Sequence, residues 1–186
     1  FLNEVLPYAC LNEERDDWRS DFYNRFTPYV ENCKTLKEAV WAVNKHIRDE
    51  VRVDYNTNRE KPDQNPSESM RQGMASCSGL SILLTDAFRA VGIPSRGNHN
   101  WCEVWVDGEW YFTEYYPNEL NRSWFLADAG KADPEDREHA IFASSFKSTG
   151  ESFPLVWDEN ITYVPAWNVT QRYIDLYKKV ADKQLS

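Results

Sequence analysis

The segment from Ser76 to Pro94 constrains the fold most, because it encodes one amphipathic helix with both ends defined. Its apolar residues recur at helical spacing, namely Leu80, Leu83, Leu84, Ala87, Phe88 and Val91. A stripe this wide has to be buried against other elements. Ser76 is a favourable N-cap, and Gly92 followed by Pro94 stops the helix. The sequence therefore predicts a core helix that begins directly after Ser76.

Two β-strands joined by a tight turn are predicted after this helix. Residues 99–106 alternate in polarity, as do residues 109–116, and Asp107-Gly108 between them is a strong two-residue hairpin signal. Gly97-Asn98 predicts another tight turn, which joins a short strand at residues 93–96 to the hairpin. The expected result is a three-stranded antiparallel meander.

The first part of the chain is predicted to be helical. One helix is expected from about Glu13 to Phe26, with an apolar stripe of Trp18, Phe22 and Phe26. A second helix begins after Thr35, where Glu38 completes a capping box. The face predicted to be buried consists of Leu36, Val40, Val43 and Ile47.

The remaining segments carry weaker signals. Residues 54–73 are polar and predict a long loop, and Asp133-Pro134 predicts a helix start. Residues 152–167 predict extended chain. A last helix is expected after Thr170, with one side formed by Tyr173, Ile174, Tyr177 and Val180.

Cys77 occupies the first turn of the predicted core helix. The unpaired backbone N–H groups and the positive end of the helix dipole favour a thiolate there. Such cysteines have a lowered pKa and are nucleophilic. The alternative is a small buried hydrophobic residue, because Cys77 precedes Leu80 and Leu84 at helical spacing.

The predicted hairpin brings a histidine and a carboxylate together. With Asp107-Gly108 as the loop residues, Trp101 lies opposite Glu114. The same register sets His99 opposite Tyr116, so His99 and Glu114 are diagonal neighbours, roughly 7–8 Å apart at the backbone. A glutamate can span that gap and orient the imidazole for proton transfer. The alternative is a surface histidine and a solvated charge.

The other cysteines and histidines are weaker candidates. Cys102 points away from the His99 face of a regular strand, and these residues have no recognised zinc spacing. Cys10 and Cys33 either pair in an exported chain or remain free thiols. The two remaining histidines, in segments predicted to be helical, are expected to be structural or surface residues: His46 and His139.

Three motifs in this order resemble the transglutaminase-like superfamily of papain-type cysteine enzymes. Cys77-Ser78-Gly79-Leu80-Ser81, with Phe88 to Arg96, resembles the helix that carries the nucleophile. His99-Asn100-Trp101-Cys102-Glu103-Val104-Trp105 resembles the histidine strand. Trp110-Tyr111-Phe112-Thr113-Glu114 resembles the strand of the third catalytic member. The similarity covers roughly residues 35–117.

The resemblance implies an α+β fold of the papain-like, transglutaminase-core type, in which the nucleophile helix packs on an antiparallel sheet. We expect one such domain over residues 1–186, with a core at about 35–145 and a C-terminal extension at 146–186.

The resemblance also implies acyl transfer through a thioester, without a cofactor or metal. Cys77 attacks an amide, His99 shuttles the proton and Glu114 orients His99. The backbone N–H of Cys77 is one expected oxyanion donor, and Gln72 is a weaker second candidate. Trp101 and Tyr116 are the candidate substrate-binding residues.

Three positions depart from the family pattern. The third catalytic member is usually Asp, and here it is Glu114. The residue two before the cysteine is usually Gly, and here it is Ala75. Between the Gly-Ile-Pro-x-Arg motif and the histidine the family usually has a longer stretch, and here only Gly97-Asn98 lies there.

Charge and composition restrict the partners. A formal charge of −9 at pH 7 gives no electrostatic footprint for nucleic acid or anionic lipid. No apolar run is long enough to span a bilayer. The chain starts at Phe1 rather than Met, and a secreted or periplasmic location is expected over a cytoplasmic one. The expected partners are peptide, protein or glycopeptide substrates.

Three functions remain open. The first is a peptidase or amidase, because hydrolysis rather than cross-linking is the activity expected of small, bacterial-type members of the superfamily. The second is a calcium-independent transglutaminase, because no carboxylate-rich Ca²⁺ loop is present. The third is a non-catalytic module that binds peptides or glycans by stacking on tryptophans. The candidates are Trp101, Trp105, Trp110 and Trp124, although core packing is the expected role for most of them.

Overall fold

The computed structural model describes residues 1–98, 101–123, 125–137, 139–155 and 159–185. Within these ranges the helices are α1 (Arg19–Val30), α2 (Leu36–Val51), α3 (Pro66–Gln72), α4 (Cys77–Ala90), α5 (Leu126–Ala129) and α6 (Thr170–Leu185). The strands are β1 (Asp54–Tyr55), β2 (Met74–Ala75), β3 (Ser95–Asn98), β4 (Trp101–Val106), β5 (Glu109–Thr113), β6 (Phe142–Ser144) and β7 (Ala166–Asn168). The fold class is α+β, as predicted.

The main sheet has five strands in the order β5-β4-β3-β6-β7, and all neighbours are antiparallel. The predicted hairpin is confirmed, because Trp105 pairs with Trp110 and Val106 with Glu109. The predicted meander of β3, β4 and β5 is therefore present, and β6 and β7 extend it. A separate parallel pair joins β1 to β2.

The predicted turn at Gly97-Asn98 is wrong. Gly97 pairs with Cys102 and Asn98 pairs with Trp101, so both residues belong to β3. Only residues 99 and 100, which lie outside the described ranges, separate β3 from β4. A ladder partner on β4 satisfies the backbone of Gly97 and Asn98 better than a turn would, because the strand is buried.

Helix α4 is the centre of the core, as its pattern predicted. Ser76 caps it, because its hydroxyl accepts a hydrogen bond of 3.0 Å from Gly79 N–H, and Gly92 follows with φ of +83°. One face of α4 packs on the sheet, where Val104 and Val106 are completely buried. Another contacts α1 and α2, whose apolar stripes complete this core.

The N-terminal helices differ in detail from their predictions. Helix α1 begins at Arg19 rather than near Glu13, although its predicted stripe of Trp18, Phe22 and Phe26 is buried. The Thr35 capping box of α2 is confirmed. Leu36, the first residue of α2, is exposed, unlike the other predicted core residues of this helix.

Two other local predictions are wrong. The segment predicted as a loop at residues 54–73 contains β1 and α3, and α3 starts with a capping box of Asn65 and Glu68 and with Pro66 at its first position. Asp133-Pro134 starts no helix, and the described residues around it form turns.

Beyond the turns, the chain returns to the sheet. An isolated bridge joins Ser152 to Pro165 before β7. The prediction of extended chain at residues 152–167 is therefore confirmed in part. Helix α6 begins at Thr170 as predicted. It buries Tyr173 on the sheet face opposite α4, against Trp101, Phe112 and Phe125. None of the described helices combines the length and the apolar composition that a bilayer-spanning segment requires.

Candidate functional site

Cys77 is the first residue of α4 and its side chain is exposed. The Ser76 hydroxyl holds this helix end, because it accepts from Gly79 N–H and donates to Pro62 O. The N–H groups of Cys77 and Ser78 have no intrahelical acceptor, because they open the helix. Leu80 and Leu84 are buried while Cys77 is not, so the prediction that Cys77 shares their core-facing stripe is wrong.

The described surroundings raise the pKa of the Cys77 thiol above its ordinary value. Partial desolvation by the surrounding walls is the main cause, and the Glu114 charge adds to it. The backbone N–H of Cys77 and the Arg59 charge act in the opposite direction but do not outweigh the desolvation. The expected lowering by the helix terminus alone is therefore not found. A reactive thiolate at neutral pH needs a further cation beside Cys77.

A cavity of about 460 Å³ opens beside Cys77. Its walls combine the start of α4, the ends of β4 and β5, and the segment around α5. The lining residues are Tyr55, Cys77, Leu80, Trp101, Glu114, Tyr115, Tyr116, Phe125, Asp128, Ala129, Ala132, His139, Ala140 and Ile141. The fold thus brings four of the predicted site residues to one cavity: Cys77, Glu114, Trp101 and Tyr116.

Glu114 directly follows the last residue of β5. Its backbone carbonyl accepts a hydrogen bond of 2.6 Å from Asn44 Nδ2 on α2, which fixes the chain at this point. Partial burial raises the pKa of the Glu114 carboxyl, and the nearby Ser123 and Asn118 side chains offset that rise only in part.

His99 lies outside the described residues, but its neighbours in the chain are described. Ser81, one turn after Cys77 on α4, donates a hydrogen bond of 2.6 Å to Trp101 O. Trp101 is the first residue of β4 and comes two positions after His99. The start of α4 is therefore held against the strand end that follows the predicted histidine.

Trp101 and Tyr116 both form cavity walls. Trp101 is buried and stacks on Phe125 with ring centroids 3.9 Å apart. The Tyr116 hydroxyl accepts a hydrogen bond of 2.9 Å from Tyr55 N–H. Trp101 is thus a packed wall residue rather than an exposed stacking platform. Trp105 is exposed and contacts the partly buried Trp110 outside the cavity, and Trp124 lies outside the described residues.

Gln72 ends α3 and is not among the residues that line the cavity. Its Oε1 accepts a hydrogen bond of 3.0 Å from Glu60 N–H. Its Nε2 is buried without an acceptor among the described residues. The amide therefore retains a donor, although the structure does not bring it into the cavity beside Cys77.

His139 also lines the cavity, a position that the sequence did not predict. It was expected in a helix, but it lies in a turn, with Nδ1 2.5 Å from Asp136 Oδ2. The spacing of Asp136 and His139 in the sequence was the one available signal for this pair. His46 lies on α2 as predicted, stacked on Tyr29.

The other cysteines lie apart from the cavity. Cys102 is completely buried against α4, where Thr85 Oγ1 donates to its sulfur at 3.3 Å, and burial raises its pKa to about 12. Cys10 and Cys33 are free thiols in this structure. In the described part of the chain, no group of three His, Cys, Asp or Glu residues could hold a metal ion.

Comparison with known families places this site in context. Residues 24–115 match the family model described as the transglutaminase-like superfamily. The resemblance predicted from the three motifs is therefore confirmed over this segment. The transglutaminase-like segment runs from within α1 to just past Glu114 and so includes Cys77 and position 99. No curated protein and no solved structure gave a significant match to the chain.

The family match indicates the class of fold and the residue type that such a fold uses for chemistry. A transglutaminase-like core has the papain-like fold of cysteine enzymes, and the first turn of α4 carries the thiol here. The match ends before α5 and α6, so the far wall of the cavity and the cover of the sheet lie outside the matched segment.

Replacing Ser76 by alanine should lower the free energy of unfolding by about 1 kcal/mol, the usual loss when an N-cap is removed. The hydroxyl satisfies one N–H of the first turn of α4, and alanine leaves that donor unpaired. Urea denaturation followed by circular dichroism measures the change. Ser76→Asn, which keeps a capping oxygen, should recover most of the stability, and equal losses in both variants would contradict the capping role.

Proposed function

We propose that the chain is a cysteine enzyme that transfers acyl groups from amide bonds and chiefly hydrolyses them, as a peptidase or amidase. The observation that carries the proposal is the exposed thiol of Cys77 at the start of α4, in the same cavity as the Glu114 carboxyl. His99 is the proposed base, and Glu114 orients it. The family match supports the class of fold. The ladder of β4 and β5 ends at the pair Cys102–Thr113, which brings Glu114 to the same end of the hairpin as Trp101, two positions after His99 in the chain.

The proposed reaction has two halves. The thiolate of Cys77 attacks the amide carbonyl carbon, and the backbone N–H of Cys77 stabilises the oxyanion. The His99 imidazolium protonates the leaving nitrogen, the C–N bond breaks and a thioester remains. His99 then removes a proton from water, which attacks the thioester. The C–S bond then breaks, the carboxylic acid leaves, and the Cys77 thiolate and the His99 imidazolium are restored.

The role of His99 follows from the pKa of Cys77. The described surroundings raise that pKa, so Cys77 without an adjacent cation is a thiol at neutral pH. An imidazolium beside it would reverse the balance, because opposite charge favours the thiolate. The proposal therefore requires His99, and not the helix terminus alone, to activate Cys77.

A transglutaminase is the second candidate, because an amine can replace water in the second half. Glu114 and Asp128 both line the cavity, and their carboxylates attract a cationic amine. With a glutamine peptide and a primary amine present, ammonia release without amine incorporation supports hydrolysis. Amine incorporation that far exceeds hydrolysis would support the transglutaminase instead, and EDTA is expected to change neither.

Iodoacetamide alkylation between pH 5 and 9 tests the proposed activation. In the wild-type protein, Cys77 should react at pH 6 about tenfold faster or more than Cys33, because only a thiolate is nucleophilic. His99→Ala should remove this advantage and leave a rate that rises with pH toward the raised pKa of Cys77. Mass spectrometry of the tryptic peptides measures each rate.

His139→Ala is the matched control, because His139 lines the same cavity. It should retain the fast reaction of Cys77 at pH 6. Loss of that reaction in His139→Ala but not in His99→Ala would assign the base to His139. If Cys77 reacts at pH 6 no faster than Cys33 in the folded wild-type protein, the enzyme proposal fails and a binding module becomes the better account.

A further inference from the structure

Tyr173 of α6 is a completely buried phenol on the sheet face opposite α4. Its ring packs between Trp101 and Phe112, with centroid distances of 5.5 and 5.6 Å. It lies outside the segment that matches the transglutaminase-like family. The C-terminal helix therefore reaches the strands of the family core through this side chain.

The Tyr173 hydroxyl accepts two hydrogen bonds from the sheet. Asn98 Nδ2 donates to it at 3.0 Å and Trp101 Nε1 donates at 2.7 Å. Asn98 is the last residue of β3 and Trp101 is the first of β4, and the two pair across the ladder. Residues 99 and 100 alone separate them in the chain. One oxygen atom therefore holds both chain ends that flank His99.

We call these two hydrogen bonds from Asn98 and Trp101 to the Tyr173 hydroxyl the clamp. The Asn98 side chain is also held by a buried carboxylate. The second N–H of Asn98 Nδ2 donates to Glu103 Oε2 at 2.6 Å, and Glu103 is completely buried. Arg96 and Arg172 both form ion pairs with Glu103. The Asn98 amide is thus fixed between a carboxylate and the Tyr173 hydroxyl, so it has little freedom to rotate away.

Burial raises the pKa of Tyr173 to about 12. The phenol is therefore neutral over the pH range in which a cysteine–histidine pair works, and its oxygen remains the acceptor for Asn98 and Trp101, with Arg172 as a further hydrogen-bond partner. Trp101, which donates the second hydrogen bond to the Tyr173 hydroxyl, stacks on Phe125 and lines the cavity beside Cys77.

We propose that Tyr173 is a positioning residue, whose hydroxyl fixes the flanks of His99 so that the imidazole meets the Cys77 thiol. The proposal rests on the proposed function and extends it to the C-terminal helix. Phenylalanine at this position keeps the packed ring but leaves two buried donors without their acceptor. The strand ends then shift to find other partners, and small displacements of a catalytic group cause large losses in rate.

The test compares Tyr173→Phe with Tyr177→Phe, the same chemical change one turn along α6, where the ring packs on Gly130. Tyr173→Phe should slow the alkylation of Cys77 at pH 6 by about tenfold, whereas Tyr177→Phe should stay within about twofold of wild type. Circular dichroism melts verify that both variants are folded at the assay temperature. In a His99→Ala background, Tyr173→Phe should cause no further loss, because it acts through His99.

A second readout does not depend on reactivity. The indole N–H signal of Trp101, assigned in NMR spectra with a Trp101→Phe variant, should exchange with solvent at least about tenfold faster in Tyr173→Phe, because its acceptor is gone. Tyr177→Phe should leave it unchanged.

The outcomes separate the two proposals. An unchanged rate at pH 6 in folded Tyr173→Phe overturns the positioning role, and so does a loss that is equally large in the His99→Ala background. If wild-type Cys77 has no His99-dependent reactivity, the proposed function has failed. The exchange of the Trp101 indole then decides whether Tyr173 holds the two strand ends at all.

Discussion

Replacement of Cys77 by alanine should abolish amide hydrolysis, with a fall in kcat/KM of about 10³-fold or more, because the nucleophile of the thioester step is gone. The loss should be catalytic and not structural. Cys77 is exposed and begins α4 without filling the core, so the melting temperature should remain close to that of wild type. The measurement uses the peptide that the wild-type protein cleaves fastest in a mixed-peptide digest read by mass spectrometry.

Cys33→Ala is the matched control for this prediction. Cys33 is a free thiol that packs at the edge of the core, away from the cavity. Its replacement should leave kcat/KM within about twofold of wild type, as expected for a residue remote from the chemistry. Hydrolysis that persists in Cys77→Ala would exclude a thioester mechanism at this site.

Replacement of Glu103 by glutamine should lower the free energy of unfolding by about 3–5 kcal/mol, because it removes one partner of a buried ion pair. Glu103 is completely buried, and Arg96 Nε lies 3.5 Å from its Oε2. Burial already lowers the pKa of Arg96 to about 10. Without the carboxylate, the buried guanidinium loses this ion-pair partner and keeps the attraction of the Glu4 charge and the face of Trp110 at 3.8 Å.

For a chain of 186 residues, such a loss corresponds to a fall in melting temperature of about 6–20 °C. Differential scanning calorimetry at pH 7 measures it. Glu119→Gln provides the control, because Glu119 forms an exposed pair with Arg122 and should change the stability by less than about 0.5 kcal/mol. Equal effects of the two substitutions would mean that burial does not govern the contribution of Glu103.

Local sequence signals predicted the elements that carry the site. The Ser76 cap and the apolar period of α4 act over a few residues, so the helix and the place of Cys77 at its start follow from the sequence. The Asp107-Gly108 turn set the register of β4 and β5 in the same way. The capping box at Asn65 was equally local, and the polar composition around it concealed α3.

Tertiary structure decided what surrounds the thiol. The direction of the Cys77 pKa depends on how far the cavity walls exclude water, and no local pattern encodes that. His139 reaches the cavity because the turns after α5 fold back over it, whereas its sequence neighbours suggested a surface residue.

The contact between the C-terminal extension and the histidine segment is likewise a product of packing. Tyr173 and Trp101 are 72 residues apart in the chain and 2.7 Å apart in the fold. The periodicity of α6 predicted that Tyr173 would face a core, but it did not identify which strand ends it would meet. Hydrophobic periods and caps specify each element from its own residues, whereas partners across the core are selected only when all the faces pack together.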